Sequence, residues 1–481
     1  MAEINQDTSE FLYEKVARVI QEGIEGGALA AGDRVPSLRR MSHKLGVSIA
    51  TINQAYVKLE DNGVIESRPQ SGFYVREQQR LIVETPSKKT PASRPRKVDI
   101  LDTMDACLSA FNRANIVPLG LANPDTELLP VRTLTKIARL VAKDQADANL
   151  EYNLPPGLDD LRKQIAFRSM DGGIMLGADS VLTTTGAVEA LTLSLSAVTK
   201  PGDIIALESP TYFVLFQIIQ QLGLLAVEID THPTEGIEIP ALATALKKNR
   251  IAAVFLIPNF GNPLGSLLPD DKKKELVRLL ARTNTPLIED DIYGELYFGE
   301  RRPHNCLAYD SKGLVVTCSS FSKTLAPGYR TGWIMGQGQL MEKIATYKRL
   351  TARSTNSLTE RIVAEYLHSG HYDRHLNKLR RTHKQQTERY RNTIGRYFPN
   401  DTRVTKPQGG FVLWIQMPRG VDAYDVFERA LQENISIAPG GLFSSTGRYK
   451  NYIRISAGYP WSDKIDSAIK TLGGIVSDLS R

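Results

Sequence analysis

Cysteine is nearly absent. The 481 residues contain three, Cys107, Cys306 and Cys318, widely separated and never in a CxxC pair. That excludes a disulfide framework and a zinc ribbon, and it fits a reducing, cytoplasmic setting. Long apolar runs are lacking too. None approaches the roughly 20 residues a membrane span needs, so no membrane partner is expected. The N-terminus, Met1 to Glu10, is polar and acidic, unlike the basic-then-apolar start of an export signal. There is no internal repeat and no metal-ligand set. His368, His371 and His375 have helical spacing, but Gly370 interrupts them and no carboxylate or cysteine completes a site. A helix break with surface histidines is expected there.

A one-signed surface is missing as well. The net charge of +7 is unevenly spread: residues 1–76 hold nine Lys/Arg against ten Asp/Glu, and residues 77–98 hold six against two. If the first segment binds nucleic acid, it must do so with a basic face set against an acidic one. With 42% hydrophobic and 23% charged residues, the chain reads as soluble and globular, with about three core units. The run Thr85-Pro86-Ser87-Lys88-Lys89-Thr90-Pro91-Ala92-Ser93-Arg94-Pro95-Arg96-Lys97 has three prolines and no apolar periodicity. It reads as a semi-extended linker. The expected division is residues 1–78, a linker over 79–98, and a large domain over 99–481.

In the first segment, Leu12, Val16, Val19, Ile20 and Ile24 fall at helical spacing. Pro36 and Ser37 precede a second helix with Leu38, Met41 and Leu45 on one face, and Gly46 ends it. Ser48 caps a third helix with Ile52, Ala55, Tyr56 and Leu59 buried, and Gly63 closes it. Val64–Glu66 and Phe73–Val75 read as strands around the tip Arg68-Pro69-Gln70-Ser71-Gly72. The exposed side of the third helix carries Ser48, Ile49, Ala50, Asn53, Gln54 and Lys58. Such a helix fits a major groove with its first residues at the base edges. Ser48 and Thr51 suit phosphate or bases, and Asn53 and Gln54 suit adenine. Arg34, Ser37, Arg39 and Lys44 would fix orientation on phosphates, and Arg68, Ser71 and Gly72 form the wing.

The whole string, from Gly32-Asp33-Arg34-Val35-Pro36-Ser37-Leu38-Arg39 through Leu45–Ser48 and Thr51–Tyr56 to Arg68–Val75, resembles the GntR family of winged-helix regulators. The resemblance implies an α+β winged helix-turn-helix that binds double-stranded DNA. GntR proteins commonly carry an arginine after the serine that opens the recognition helix. Here it is Ile49, which suits a thymine methyl instead.

In the large domain, Val181-Leu182, Ile204–Leu207, Ala252–Ile257, Leu287-Ile288 and Leu314–Val316 look like buried parallel strands. Ligands of open α/β sheets bind at the carboxyl ends of strands, so the segments after these runs are expected to converge. They are Thr183–Glu189, Glu208–Tyr212, Pro258–Gly265, Glu289–Tyr293 and Ser319–Lys323, with Arg330 beyond. Free amides at the helix start in Thr183–Glu189 favour a phosphate, and Tyr212 suits stacking on a flat ring.

In this order the segments resemble fold-type-I aminotransferases, from about Leu119 to Arg454. The resemblance implies an α/β domain with large and small subdomains, a pyridoxal 5′-phosphate (PLP) cofactor and a homodimer. It makes Lys323 the Schiff-base lysine and Asp290 the partner of the pyridine nitrogen, chosen over Asp291 because the family's aspartate is usually the first of the pair. It also assigns Asn262 and Tyr293 to the phenolate oxygen and Tyr212 to the ring face. Gly186, Ala187, Ser320, Ser322 and Arg330 fall to the phosphate, with Tyr152 reaching it from the other subunit, and Arg454 to a substrate or effector carboxylate. Val188 replaces a common glutamine, and Ala122 a common glycine, which narrows the amino-acid pocket.

A GntR-type reader fused to an aminotransferase-like domain resembles the MocR family. Arg68–Gly72 and Glu295-Leu296-Tyr297-Phe298-Gly299 resemble the corresponding strings of its YdcR-like members. The family implies a regulator that senses PLP or an amino compound, with ligand exchange at Lys323 moving the DNA-reading heads. The rival expectation is a working aminotransferase with an accessory DNA-binding head, since every chemical group is present. A vitamin B6 sensor with no second ligand is the third.

Overall fold

The computed structural model describes residues 11–25, 28–30, 32–61, 64–68, 71–75, 86, 94–98 and 115–481. Most of the expected linker, Gly63, Pro69, Gln70 and Cys107 lie outside them. The chain divides into two compact units.

The N-terminal unit is built from α1 (Leu12–Glu25), α2 (Leu38–Leu45), α3 (Ile49–Asp61) and a hairpin of β1 (Ile65–Arg68) and β2 (Gly72–Val75). Ser37 caps α2 by accepting from the Arg40 amide at 3.3 Å. Gly46 ends α2 in the left-handed region, φ 68°, where a side chain would be strained. Ile52, Ala55, Tyr56 and Leu59 of α3 are fully buried. The Tyr56 hydroxyl donates to the Pro36 carbonyl at 2.5 Å, which ties α3 to the entry of α2. Helix α1 departs from expectation. Its buried face is Val16, Ala17 and Ile20, while Leu12 and Val19 are exposed. Small Ala17 lets α1 pack closely, a role that an apolar-size pattern underweights. The strands also run further toward the tip than expected, with Arg68 opposite Gly72.

In the large unit, runs of alternating side chains form one sheet with two apolar faces. The strands are β3 (Arg96–Lys97), β4 (Val181–Thr184), β5 (Ile204–Ser209), β6 (Leu225–His232), β7 (Gly236–Ile237), β8 (Ile251–Leu256), β9 (Leu287–Asp290), β10 (Val315–Ser320) and β11 (Gly332–Met335). Their order is β3-β6-β5-β8-β9-β10-β11-β4, with β7 added to β6. Strands β6, β5, β8, β9 and β10 are mutually parallel. Ile205, Leu207, Ala253 and Phe255 face one helical layer, and Ala206, Val254 and Leu256 the other. This period-two pattern is what a strand buried on both sides requires.

Two features add to the expected set of buried parallel strands. Strand β4 is separated from the parallel group by β11, to which both β10 and β4 pair antiparallel. Strands β6 and β11 do not emerge from the sequence reading, because no chemical motif follows them. In addition, Arg96–Lys97, placed in the linker by composition, pair with β6, and Val98 is buried. A second, antiparallel sheet is built from β12 (Arg403–Val404), β13 (Val412–Gln416), β14 (Ala438–Pro439) and β15 (Tyr452–Ser456), in the order β12-β13-β15-β14. Among the described residues no helix is long and apolar enough to cross a membrane.

Candidate functional site

The carboxyl ends of the parallel strands and the second sheet enclose a cavity of about 210 Å³. It collects Ala187, Tyr212, Asn262, Asp290, Tyr293, Ser320, Ser322, Lys323, Arg330 and Arg454, together with Val188 and Ala122. Lys323 follows β10, and its Nζ donates to Asn123 Oδ1 at 2.8 Å. Burial lowers its pKa to about 8; Arg454 and Arg330 push the same way, and Asp290 opposes. Asp290 ends β9. Burial raises its carboxyl to about 7, even though Oδ1 accepts the Ile292 amide at 3.0 Å.

The adjacent aspartates separate cleanly. Asp291 lies off the cavity and is held by the Arg302 guanidinium and by Asn259 Nδ2 at 2.8 Å. A cation already neutralises it, so Asp290 is the carboxyl left for a ligand.

Gly186 precedes the helix Ala187–Val198 with φ 89°. A Cβ there would fall 2.3 Å from Arg330 Nη2. Glycine is therefore what lets the guanidinium lie over the open helix start, where Arg330 Nη2 donates to the Thr185 carbonyl at 3.0 Å and Nη1 to Ser322 Oγ at 3.4 Å. The Ser322 amide donates to Ser320 Oγ at 3.3 Å. Hydroxyls, amides and a guanidinium at one helix start form a donor set for a dianion. On the facing wall, burial raises Tyr212 to about 12 and Tyr293 further, so both stay protonated donors. The buried Asn262 Oδ1 has no protein partner.

Arg454 projects from the middle of β15 and is 2% exposed. Its Nη2 donates to the Gly120 carbonyl, while Nε has no partner. Burial lowers its pKa to about 10, so it remains a cation. Tyr152 does not reach this cavity. It is 75% exposed, with the Arg353 guanidinium 5.6 Å from its ring centroid.

In the N-terminal unit, Ser48, Ile49, Ala50, Asn53 and Gln54 are exposed on α3, and Thr51 is half-buried. Ser48 Oγ accepts the Thr51 amide at 3.1 Å and lies 2.8 Å from Thr51 Oγ1. Arg34, Ser37, Arg39 and Lys44 are exposed, and Arg34 Nη2 lies 3.4 Å from where a Cβ on Gly72 would be. Arg68 Nη2 pairs with Glu66 at 2.9 Å and its guanidinium covers the Tyr74 ring at 4.3 Å. Ser71 Oγ is 2.6 Å from the Tyr74 hydroxyl. Lys58 is not on the free face, because its ammonium pairs with Glu14 of α1 at 2.7 Å.

Residues 12–75 match the bacterial regulatory proteins of the gntR family, and residues 114–472 match aminotransferase class I and II. The uncharacterized HTH-type transcriptional regulator YdcR of Escherichia coli K12 is 37% identical over 97% of this chain and 99% of its own. A second Escherichia coli K12 regulator, YjiR, is 36% identical over 96% and 98%. The chain belongs to the MocR family. Among solved structures, LysN, the α-aminoadipate aminotransferase of Thermus thermophilus complexed with N-(5′-phosphopyridoxyl)-L-leucine, superposes with a TM-score of 0.73. It is 28% identical and covers 78% of this chain and 95% of its own.

This MocR protein is thus a GntR-type regulator with a DNA-binding head and an aminotransferase-like domain whose cofactor is PLP. The cavity fits that group. It offers one amine, one carboxyl without a cation, a dianion cup and an unpartnered amide oxygen.

Three neighbours of the cavity escape the sequence reading. Asn123 holds the Lys323 amine. Glu208, fully buried, has its carboxyl raised to about 8 by burial, and the Asp290 charge adds to the rise. His375 is no surface histidine: its Nε2 is 2.7 Å from the Thr324 carbonyl, next to Lys323, and Tyr372 donates to Thr324 Oγ1 at 2.7 Å. Asn123 is visible in sequence only as part of an Asn-Pro string, and helical spacing alone gives His375 no partner.

Proposed function

We propose that this regulator senses an amino acid through its PLP site and reports the binding to DNA. The observation that carries the proposal is the one cavity in which Lys323 and Asp290 sit with Arg454, whose Nε is unpartnered. When bound, PLP supplies a reactive aldehyde and an electron-withdrawing ring. Lys323 would hold that aldehyde with its amine, and Asp290 would serve as counter-charge to the ring nitrogen. Asn262 and Tyr293 would donate to the phenolate oxygen, and Tyr212 would cover the ring. Ser320, Ser322, Arg330 and the Gly186 and Ala187 amides would hold the phosphate. Lys323 would be the group that an effector amine has to replace, while Arg454 would bind the effector carboxylate. The apolar wall of Leu121, Ala122, Val188 and Phe213 meets its side chain.

Regulation requires the effector to favour one arrangement of the protein over another. On the head, we assign base contacts to Ser48, Thr51, Asn53 and Gln54, and backbone contacts to Arg34, Ser37, Arg39, Lys44, Arg68, Ser71 and Gly72. A homodimer accounts for the exposed Tyr152, flanked by exposed Leu150 and Leu154. The three-cysteine composition supports a cytoplasmic location.

The test is a visible-absorbance titration of the PLP-loaded protein with amino acids, followed by footprinting on its own upstream DNA with and without the compounds that respond. A spectral change together with an altered footprint is expected. Rapid, sustained turnover without sequence-specific DNA binding favours the second reading, a transaminase, which the complete set of cavity groups also supports.

A further inference from the structure

We propose that Glu228 is a positioning residue. It clamps the two walls of the cavity at the spacing Arg454 needs to grip a carboxylate, an inference that rests on the effector reading above. Glu228 lies on β6, is 4% exposed, and pairs across the sheet with Leu207 of β5. Its carboxylate accepts from serines on two separate segments. Ser209, the last residue of β5, donates its hydroxyl to Oε2. From the segment between β14 and β15, Ser444 Oγ reaches Oε1 at 3.0 Å and Oε2 at 2.9 Å. The Ser445 amide and hydroxyl each reach Oε1 at 2.7 Å.

Each segment leads directly to the site. Ser209 lies three residues before Tyr212, and the intervening Thr211 amide donates to the Phe443 carbonyl at 3.1 Å. Ser444 follows Phe443. The Phe443 ring packs edge-on against Phe213 (5.4 Å) and Trp414 (5.1 Å), and the Arg454 guanidinium lies 5.6 Å from it. Trp414 is in turn the cross-strand neighbour of Arg454. One carboxylate therefore bonds both the strand end that presents Tyr212 and the loop on which Arg454 rests.

The groups recorded around it donate, and an ionised carboxylate only accepts. Glutamine keeps the length and can still accept from Ser445, but its amide nitrogen forces the Ser209 and Ser444 hydroxyls to turn. Aspartate is one methylene shorter and cannot span both segments.

The experiment uses the full-length, PLP-loaded protein and two matched pairs of probes, L-leucine with 3-methylbutylamine and L-phenylalanine with 2-phenylethylamine. Each pair shares a side chain and differs in the carboxylate, so the ratio of the two titration midpoints cancels any change at the cofactor. Glu228→Asp is expected to cut the amino-acid advantage about tenfold, as for a residue acting through another. Glu228→Gln should cut it less and leave the thermal midpoint near that of wild type. If Glu228→Asp does not fold, the Glu228→Gln ratio alone decides. Equal weakening of both members of a pair in the variants means a merely structural role and overturns the clamp. A wild type that responds equally to both members overturns Arg454 as the carboxylate site, and the clamp with it. A wild type that responds to none overturns the effector reading itself, and the clamp falls as a consequence.

Discussion

Replacing Arg454 by glutamine tests the carboxylate site at its strongest point. Arg454 Nη2 is committed to the Gly120 carbonyl, and Nε is free of protein partners. A ligand carboxylate therefore gains at least one charge-assisted hydrogen bond, about 1.5–3 kcal/mol, plus the attraction of a buried opposite charge. Truncating one partner of such a pair costs about 2–5 kcal/mol. At about 1.4 kcal/mol per decade, that is roughly 30- to 4,000-fold in the titration midpoint. Burial has lowered the Arg454 pKa from its ordinary value to about 10, so holding the charge there without a ligand costs about 3 kcal/mol. Glutamine removes that cost, which limits the damage to the fold.

The assay is the absorbance titration with an amino acid and its decarboxylated amine, alongside thermal melting. The expected result is an amino-acid midpoint at least about 30-fold weaker, an unchanged amine midpoint and a small loss of melting temperature. An amino-acid midpoint within threefold of wild type, with the cofactor spectrum intact, refutes the assignment.

Lys323, with its pKa near 8, is an ammonium below that pH and a free nucleophile above it. PLP uptake by the apo-protein should therefore accelerate with pH and level off above about 8 rather than above the ordinary lysine value of 10.5. Stopped-flow absorbance measures this, and Lys323→Ala should yield no borohydride-trapped adduct. His383 is buried with its pKa lowered from 6.5 to about 3. Between those values the unfolded chain binds the proton and the folded one does not, so stability falls as pH drops below 6.5, by up to about 1.4 kcal/mol per pH unit from this group. Urea melts of His383→Gln should show a shallower acid slope than wild type; an identical slope counts against the buried neutral imidazole. In the head, Arg39→Ala should weaken DNA binding across sequences and reduce the salt slope by about one phosphate contact, whereas Ile49→Arg should favour guanine by about 1–3 kcal/mol at one position. Gel shifts at several salt concentrations, on operator and on guanine-substituted variants, separate these two outcomes.

The parts legible in sequence are those where chemistry sits next to a strand end. Tyr212, Asn262, Asp290 and Lys323 each follow an apolar run within a few residues, so local order is enough to bring them together. The parts that are not legible depend on partners far along the chain. The Asn123–Lys323 contact spans 200 residues and the Glu228–Ser444 contact 216. Neither leaves a local signature, because a buried carboxylate satisfied by serines looks in sequence like any polar residue of a strand. Strand β11 is short and starts at Gly332, and only its antiparallel pairing between β10 and β4 makes it part of the sheet. The choice between Asp290 and Asp291, made by family position, acquires a physical basis only when Arg302, eleven residues away, closes on Asp291.

Three of the four charged groups that line the cavity, Lys323, Asp290 and Arg454, share one property that bears on regulation. Burial works against the charged form of each: Lys323 is lowered to about 8, Asp290 raised to about 7 and Arg454 lowered to about 10. A preorganised site carries these costs in the folded protein before any ligand arrives. On the proposed reading, each cost would be relieved by a different ligand atom: the aldehyde at Lys323, the ring nitrogen at Asp290, and a carboxylate at Arg454. Binding only to the folded arrangement then stabilises it by mass action. The cofactor would relieve the first two costs and leave the third. The proposed amino-acid effector differs from the Lys323 amine it would displace in its carboxylate and side chain, so the Arg454 side of the cavity is where a free-energy difference between the two ligand states would arise. A compound that satisfies Lys323 and Asp290 without engaging Arg454 should therefore fill the site while leaving the footprint unchanged.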